Sequence, residues 1–155
     1  MCDSILTRRA LAASGLAWLA AALVVDSVQA QSTIVDIKGT WIGHAQNIVE
    51  GPAHHHQRGA AGTKEAGKFL LSDQTFTFRF EGQEDRRFWG TISSATKTER
   101  LIGSFSSDGK RVYMVDEDGM IDGMVIDPNK IDICYRHVRP DSAVVGCELI
   151  ERKKD

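Results

Sequence analysis

The segment QTFTFRFE at residues 74–81 places Phe76, Phe78 and Phe80 at alternate positions, with polar residues between them. A hydrophobic period of two residues is typical of a β-strand with one buried face. Similar short runs follow along the chain, and one more begins at Gly39. The pattern predicts an all-β protein with eight strands.

Short turns rich in Gly, Pro, Asp and Asn separate these runs, which favours links between neighbouring strands. Eight antiparallel strands joined in this way can close an up-and-down meander barrel and leave no exposed edge. The predicted strands span Gly39–Val49, Gln74–Glu81, Arg86–Ser94, Arg100–Ser106, Lys110–Asp116, Met120–Ile126, Lys130–Val138 and Ala143–Glu151.

The connections have distinct expected forms. Asp108-Gly109 fits a two-residue hairpin, and Gly119 suits the left-handed position of a three-residue hairpin. The long connection at about residues 50–73 contains no strand pattern, and we expect it to be a mobile loop.

Residues 1–30 resemble an export signal: Arg8-Arg9 precedes an apolar run, and small residues end at Ala30. The arginine pair also resembles the twin-arginine signal of bacteria, and the ordinary secretory route is the alternative. Cleavage after Ala30 would leave residues 31–155 as one β-barrel domain without a stable membrane anchor. The expected location is the periplasm or the exterior of a bacterium.

Charge and motifs exclude several functions. The formal net charge of −2 gives no reason to expect a nucleic-acid partner. No serine-hydrolase, metalloprotease, phosphate-loop or dinucleotide motif occurs, which favours a non-enzymatic role without a cofactor. His137 beside Glu148 or Asp122 is the pair that could act as an acid and a base.

Cys134 and Cys147 are the two cysteines that follow the signal, and an even pair in an oxidising compartment favours a disulfide. A tight turn over Arg139–Ser142 would place them directly opposite each other on two strands. A redox pair is the alternative, although no Cys-x-x-Cys motif is present.

The first predicted strand begins with DIKGTW at residues 36–41. Its Gly39-x-Trp41 pattern resembles the Gly-x-Trp opening of the calycins, the group of lipocalins and avidins. The resemblance implies a barrel of the same architecture, with Trp41 packed across its closed end. It does not carry a function, because one fold serves many.

The turns at Gly119, Pro128 and Pro140 predict which side chains of the last four strands share a face. The expected outer apolar residues, Ile121, Val125, Val145 and Leu149, indicate an exposed patch or a homodimer contact. The side chains expected to point into the barrel include Met114, Asp122, Met124, Tyr135, His137 and Glu148.

Buried carboxylates need a partner. We therefore expect Asp122, Tyr135, Glu148, His137 and Met114 to line a site for a small polar or cationic ligand. Gly103 and Gly146 on the predicted inner face would leave room for this ligand. The alternative is a wet barrel mouth with internal salt bridges from arginines, with Arg86 and Arg100 as candidates.

The long loop offers two further interpretations. His54, His55 and His56 could hold Zn or Cu, although a solvated loop is the favoured interpretation because ligand spacing is absent. The acidic run at residues 116–118 resembles a calcium loop only in part and is better explained as a hairpin turn. The alternative function is a protein-binding barrel, such as an inhibitor of a secreted enzyme, that uses the 50–73 loop or the 31–38 arm.

Overall fold

The computed structural model describes residues 34–51 and 69–154. The expected export signal and the three loop histidines lie outside the described residues. Within the described ranges, no helix has the length and apolar character that a membrane span requires.

The described residues form a closed antiparallel barrel in which each strand pairs with the next and β8 pairs with β1. The predicted all-β meander of eight strands is confirmed. The largest difference in bounds is in β2, which begins at Leu70, so the long connection is shorter than predicted. The strands are β1 Gly39–Glu50, β2 Leu70–Glu84, β3 Arg87–Ser93, β4 Thr98–Phe105, β5 Arg111–Val115, β6 Met120–Asp127, β7 Lys130–Val138 and β8 Ala143–Arg152.

One end of the barrel, here called the aromatic end, carries the β2–β3, β4–β5 and β6–β7 turns. Its interior is filled by a chain of ring contacts: Trp41 to Phe80 at 6.3 Å, Phe80 to Phe88 at 5.4 Å, and Phe88 to Phe105 at 5.2 Å between centroids. All four rings are almost fully buried. Large aromatic side chains dominate the apolar area that a core removes from water, so this end supplies much of the stability.

Residues 34–38 pack onto the aromatic end. The Ile37 side chain is fully buried, and its backbone N–H donates to Gln83 Oε1 at 2.8 Å. Gln83 in turn donates to the Val35 carbonyl at 3.0 Å, and the Trp41 indole N–H donates to the Ile37 carbonyl at 2.8 Å. The Arg152 guanidinium lies 4.5 Å from the centre of the Trp41 ring. These contacts cap the barrel at this end.

The β7–β8 hairpin has the predicted register. Cys134 faces Cys147 across the two strands, and the two form a disulfide on the outer face of the barrel. Tyr135 pairs with Gly146, so the phenol lies on the opposite, inner face. The predicted disulfide is confirmed, and such a bond is typical of proteins in oxidising compartments.

The predicted register of β6 is wrong by one residue. Asp127 pairs with Lys130 beside the Pro128 turn, but the next pair is Val125 with Ile131, so Ile126 is an extra residue. Because the turn at Pro128 was used to set the register, this β-bulge puts the side chains of residues 120–125 on the face opposite to the predicted one.

As a result, Ile121 is buried in the core, whereas Met124 is 51% exposed. Val125, expected outside, packs against the core, and Val145 and Leu149 lie outside as predicted.

Gly119 has a different role from the one predicted. The glycines with positive φ among the described residues are Gly39, Gly51 and Gly109, and Gly119 is not one of them. A Cβ atom at position 119 would overlap the ring of Tyr135. The glycine therefore allows the hairpin turn to approach the phenol closely.

Candidate functional site

The polar residues of the barrel interior lie mainly toward the end opposite the aromatic end. This polar end carries the β3–β4, β5–β6 and β7–β8 turns. Four of the five predicted ligand-binding residues have inner-face positions: Met114, Tyr135, His137 and Glu148. The structure does not place Asp122 with them.

Asp122 lies on the outer face, where it pairs with Tyr113 of β5 and Cys134 of β7. Its carboxylate forms an ion pair with Arg136. The expected inward orientation of Asp122 is wrong because the bulge at Ile126 shifts the strand by one residue. The inner position opposite Tyr135 is held by Ile121.

Glu148 lies midway along β8, opposite Ile133, with only 9% of its surface exposed. Its Oε2 atom is buried and has no hydrogen-bond partner among the described residues. The carboxyl lies over Gly43 of β1, where a Cβ atom would overlap it. Burial raises the pKa of the Glu148 carboxyl to about 8. The group is therefore mostly protonated at neutral pH.

A chain of hydrogen bonds runs from β7 to the β5–β6 turn. The Tyr135 hydroxyl donates to Asp118 Oδ1 at 2.9 Å and lies 2.8 Å from His137 Nδ1. Because the phenol has a single proton, its oxygen must accept a hydrogen from His137 Nδ1. Burial, followed by the charges of Asp116 and Asp118, raises the pKa of the phenol well above its ordinary value. Tyr135 thus remains a neutral donor.

His137 Nε2 completes this arrangement toward the β7–β8 turn. Ser142 Oγ lies 3.4 Å from Nε2, and both residues are buried. With Nδ1 carrying a hydrogen, a neutral imidazole presents Nε2 as an acceptor, which the serine hydroxyl can satisfy. The histidine is therefore oriented by contacts on both ring nitrogens.

An acidic cluster lies at the same end. Carboxylate oxygens of Glu99, Asp116 and Asp118 lie within 4.8 Å of one another. Lys97 forms an ion pair with the fully buried side chain of Glu99, and Arg139 donates to Asp118 Oδ2 at 2.6 Å. The protein's own cations thus compensate this cluster, and the turn geometry explains it without a bound ion.

Sequence reasoning did not identify Lys97, Glu99 or Arg139 as members of a site. The signal that could have found them is topological. In a meander barrel alternate turns meet at one end. The β3–β4, β5–β6 and β7–β8 turns carry Lys97, Asp118 and Arg139 respectively, so their order along the chain implies their proximity.

The expected internal arginines do not fill this role. Arg100 points outward, with its side chain 89% exposed, and its closest approach to Glu117 is 4.0 Å. Arg86 is exposed as well. Charge compensation at the polar end comes instead from Lys97 and Arg139. Among the described residues, burial is the cause that raises the pKa of Glu148.

The glycines expected to leave room for a ligand are occupied by neighbours. A Cβ atom at Gly146 would overlap Asn47, whose amide donates to the Ser72 carbonyl at 3.0 Å. A Cβ atom at Gly103 would overlap Phe88. These glycines therefore allow close packing of the interior and do not create open space.

Comparison with known proteins identifies no family for this chain. No protein-family model matches the chain, and no curated protein matches it. A similar solved structure is that of an S-type phycobiliprotein lyase from Guillardia theta, with a TM-score of 0.31 and 8% sequence identity. The alignment covers 77% of this chain and 89% of the lyase. This likeness is too low to carry any property of the lyase to this protein.

Proposed function

We propose that this protein is an exported, non-enzymatic binding protein of calycin type that holds a small polar or cationic molecule inside its barrel. The observation that supports the proposal is the buried, unpartnered Oε2 atom of Glu148 on the inner face. Leaving such an atom without a hydrogen bond costs about 1–3 kcal/mol. A ligand that donates a hydrogen bond to Glu148 would remove this cost.

The neighbouring strand supplies a second polar point for such a ligand. Tyr135 is the diagonal neighbour of Glu148 across β7 and β8, at a separation of roughly 7–8 Å in regular antiparallel sheets. Its hydroxyl and the imidazole of His137 lie toward the polar end. Met114 provides an apolar contact on the same inner face.

The chemistry of the ligand follows from the charge balance near Glu148. Within residues 34–51 and 69–154, no lysine or arginine pairs with its carboxyl, in contrast to the acidic cluster at the turns. An ammonium group would pair with the ionised carboxylate, and a hydroxyl group can hydrogen-bond to the carboxyl in either protonation state. We therefore propose a ligand that presents an ammonium or a hydroxyl group to Glu148.

Native mass spectrometry of the protein exported by its own host tests the proposal. The intact mass is compared with the mass of the same sample after denaturation, which also reports signal cleavage and the disulfide. We expect a non-covalent mass excess that disappears on denaturation. A bare chain under both conditions would contradict the proposed cargo.

A matched pair of variants locates the binding site. Glu148→Gln should lose the mass excess or bind the recovered molecule at least tenfold more weakly. Glu151→Gln is the control, because Glu151 lies on the same strand but outside, in an ion pair with Lys130. Equal loss in both variants would place the ligand elsewhere.

The alternative, a protein-binding barrel, has a narrower basis than the sequence suggested. Residues 34–38 of the arm are packed against the aromatic end through Ile37, which leaves Asp36 and Lys38 as their exposed side chains. Residues 31–33 of the arm and residues 52–68 of the loop lie outside the described residues.

A further inference from the structure

The inner face near Glu148 holds a further polar side chain, on the side of β1 and β2. Gln74 follows the same alternation along β2 as Phe76 and Phe78, which are buried in the core, so its side chain lies on the inner face. The Oε1 atom of its amide is buried. The wall of the proposed site therefore includes an amide that the sequence did not single out.

The register of β1 connects Gln74 with Glu148. Ala45 of β1 pairs with Gln74 of β2. One residue further along, Gln46 pairs with Cys147 of β8. The same register sets Ala45 beside Glu148. Ala45 is buried, and its side chain is a single methyl group. Two long polar side chains thus flank a small apolar one on three neighbouring strands.

The Glu148 carboxyl leans across this row toward β2. It lies over Gly43, which is the direct partner of Phe76 and the diagonal neighbour of Gln74. Diagonal neighbours on one face of an antiparallel pair are roughly 7–8 Å apart, a distance that long side chains reach. A short molecule bound to the carboxyl would therefore have the Gln74 amide as its nearest polar side chain on β2.

The phenol of Tyr135, on the other side of Glu148, has less to offer a second group of such a molecule. Its proton is donated to Asp118, and its oxygen accepts from His137. The carboxyl also lies over β1 and not over β7. The Gln74 amide has an acceptor oxygen and two donor hydrogens, so it can bond to a hydroxyl group in either direction.

We propose that Gln74 is a specificity-determining residue of the barrel site, and that the ligand is a short amino alcohol with its ammonium on Glu148 and its hydroxyl on Gln74. This inference rests on the proposed function and narrows its ligand class. The ammonium is assigned to Glu148 because that carboxyl pairs with no lysine or arginine among the described residues. The hydroxyl is assigned to Gln74 because a neutral amide does not compensate a charge. A site built to bond a hydroxyl rejects the analogue that lacks it.

Two small probes of equal size test the inference. One is 2-aminoethanol, which carries both groups, and the other is propylamine, in which a methyl group replaces the hydroxyl. Each is titrated to millimolar concentration into the dialysed exported chain, and the heat of binding is measured. The titrations are made at pH 8.5, above the pKa of about 8 of the Glu148 carboxyl. We expect the wild-type protein to bind 2-aminoethanol at least tenfold more tightly than propylamine.

Variants identify the side chain that is responsible. Gln74→Leu should bind 2-aminoethanol at least tenfold more weakly and leave the affinity for propylamine unchanged. Gln46→Leu is the matched control, because Gln46 lies exposed on the outer face of β1 and should keep the wild-type preference. Glu148→Gln should weaken both probes, since both present an ammonium. The comparison of the two probes on the wild-type chain remains decisive even where Gln74→Leu fails to fold.

Three results would overturn the inference: equal affinity of the wild-type chain for the two probes, a preference that Gln74→Leu leaves intact, or a preference that Tyr135→Phe abolishes and Gln74→Leu does not. In each case the proposed function stands if both probes still depend on Glu148. Failure of both probes to bind would exclude the amino-alcohol class, and a mass excess that Glu148→Gln removes would then still support the proposed function.

Discussion

Replacing Glu148 by glutamine should remove most of the decrease in stability that the wild-type protein shows between weakly acidic and weakly basic pH. The free carboxyl has an ordinary pKa of 4.5, and in the folded protein burial raises it to about 8. The folded state therefore holds a proton that the unfolded state releases between these values. Because the folded pKa is raised for an acid, stability is greatest at low pH and falls as pH rises through this window.

The magnitude follows from the two pKa values. The free energy of unfolding should fall by roughly 1.4 kcal/mol per pH unit across the window, and the Glu148 contribution at pH 7 amounts to a loss of about 3 kcal/mol relative to pH 4. This is a large fraction of the stability of a small domain, which is typically about 5–15 kcal/mol.

The assay is urea unfolding of the wild-type, Glu148→Gln and Glu151→Gln proteins at pH values from 4.5 to 9. The raised pKa of Asp116 contributes in the same direction in all three proteins, so the difference between the curves isolates Glu148. We expect the Glu148→Gln curve to be flatter and the Glu151→Gln curve to keep the wild-type slope. Parallel curves for wild type and Glu148→Gln would refute the reasoning.

Three further perturbations test the interior and the hairpin. Tyr135→Phe removes the donor to Asp118 and should lower the free energy of unfolding by about 1–3 kcal/mol, measured in urea; an unchanged value would mean that water replaces the phenol. Loss of the bond between Cys134 and Cys147, by double substitution with serine or by reduction, should cost roughly 3 kcal/mol in the same assay, since it opens a short closed loop. Gly43→Ala should lower the free energy of unfolding by about 1–3 kcal/mol, because the added methyl group overlaps the Glu148 carboxyl. In a double-mutant cycle, combining it with Glu148→Ala should recover most of this loss.

The fold could be predicted because its signals are local. The alternation of Phe76, Phe78 and Phe80 defines β2, and the turn before Ser142 aligns Cys134 with Cys147. In both cases residues close in sequence determine the geometry, so the strand order and the disulfide follow from turn chemistry and a period of two.

The register of β6 could not be predicted because its sequence has apolar residues in both phases. Ile121 and Val125 share one face, whereas Met120, Met124 and Ile126 alternate with them, so burial of either face looks acceptable. The bulge beside the Pro128 turn decides between the two, and a single extra residue leaves no local signature. That one residue removed Asp122 from the predicted site.

The polar end could not be predicted from any one segment, because its members come from three turns that meet only in the closed barrel. Lys97, Asp118 and Arg139 are each unremarkable in their own hairpins. Lys97 and Arg139 offset part of the charge of the acidic cluster by pairing with Glu99 and Asp118, whereas the Glu148 Oε2 atom has no hydrogen-bond partner among the described residues. The distinction between a compensated and an uncompensated carboxyl, which carries the functional proposal, exists only in three dimensions.

The aromatic end of the barrel contributes the largest rings of the apolar core. The four rings and Ile37 fill the interior there and form a cap. A protein with such a core can tolerate an unpaired acid such as Glu148 elsewhere, at a cost of a few kcal/mol. No hydrogen bond among the described residues offsets that cost at Oε2, and a methionine or leucine of similar size would not incur it. The proposed ligand would account for an acid in this place.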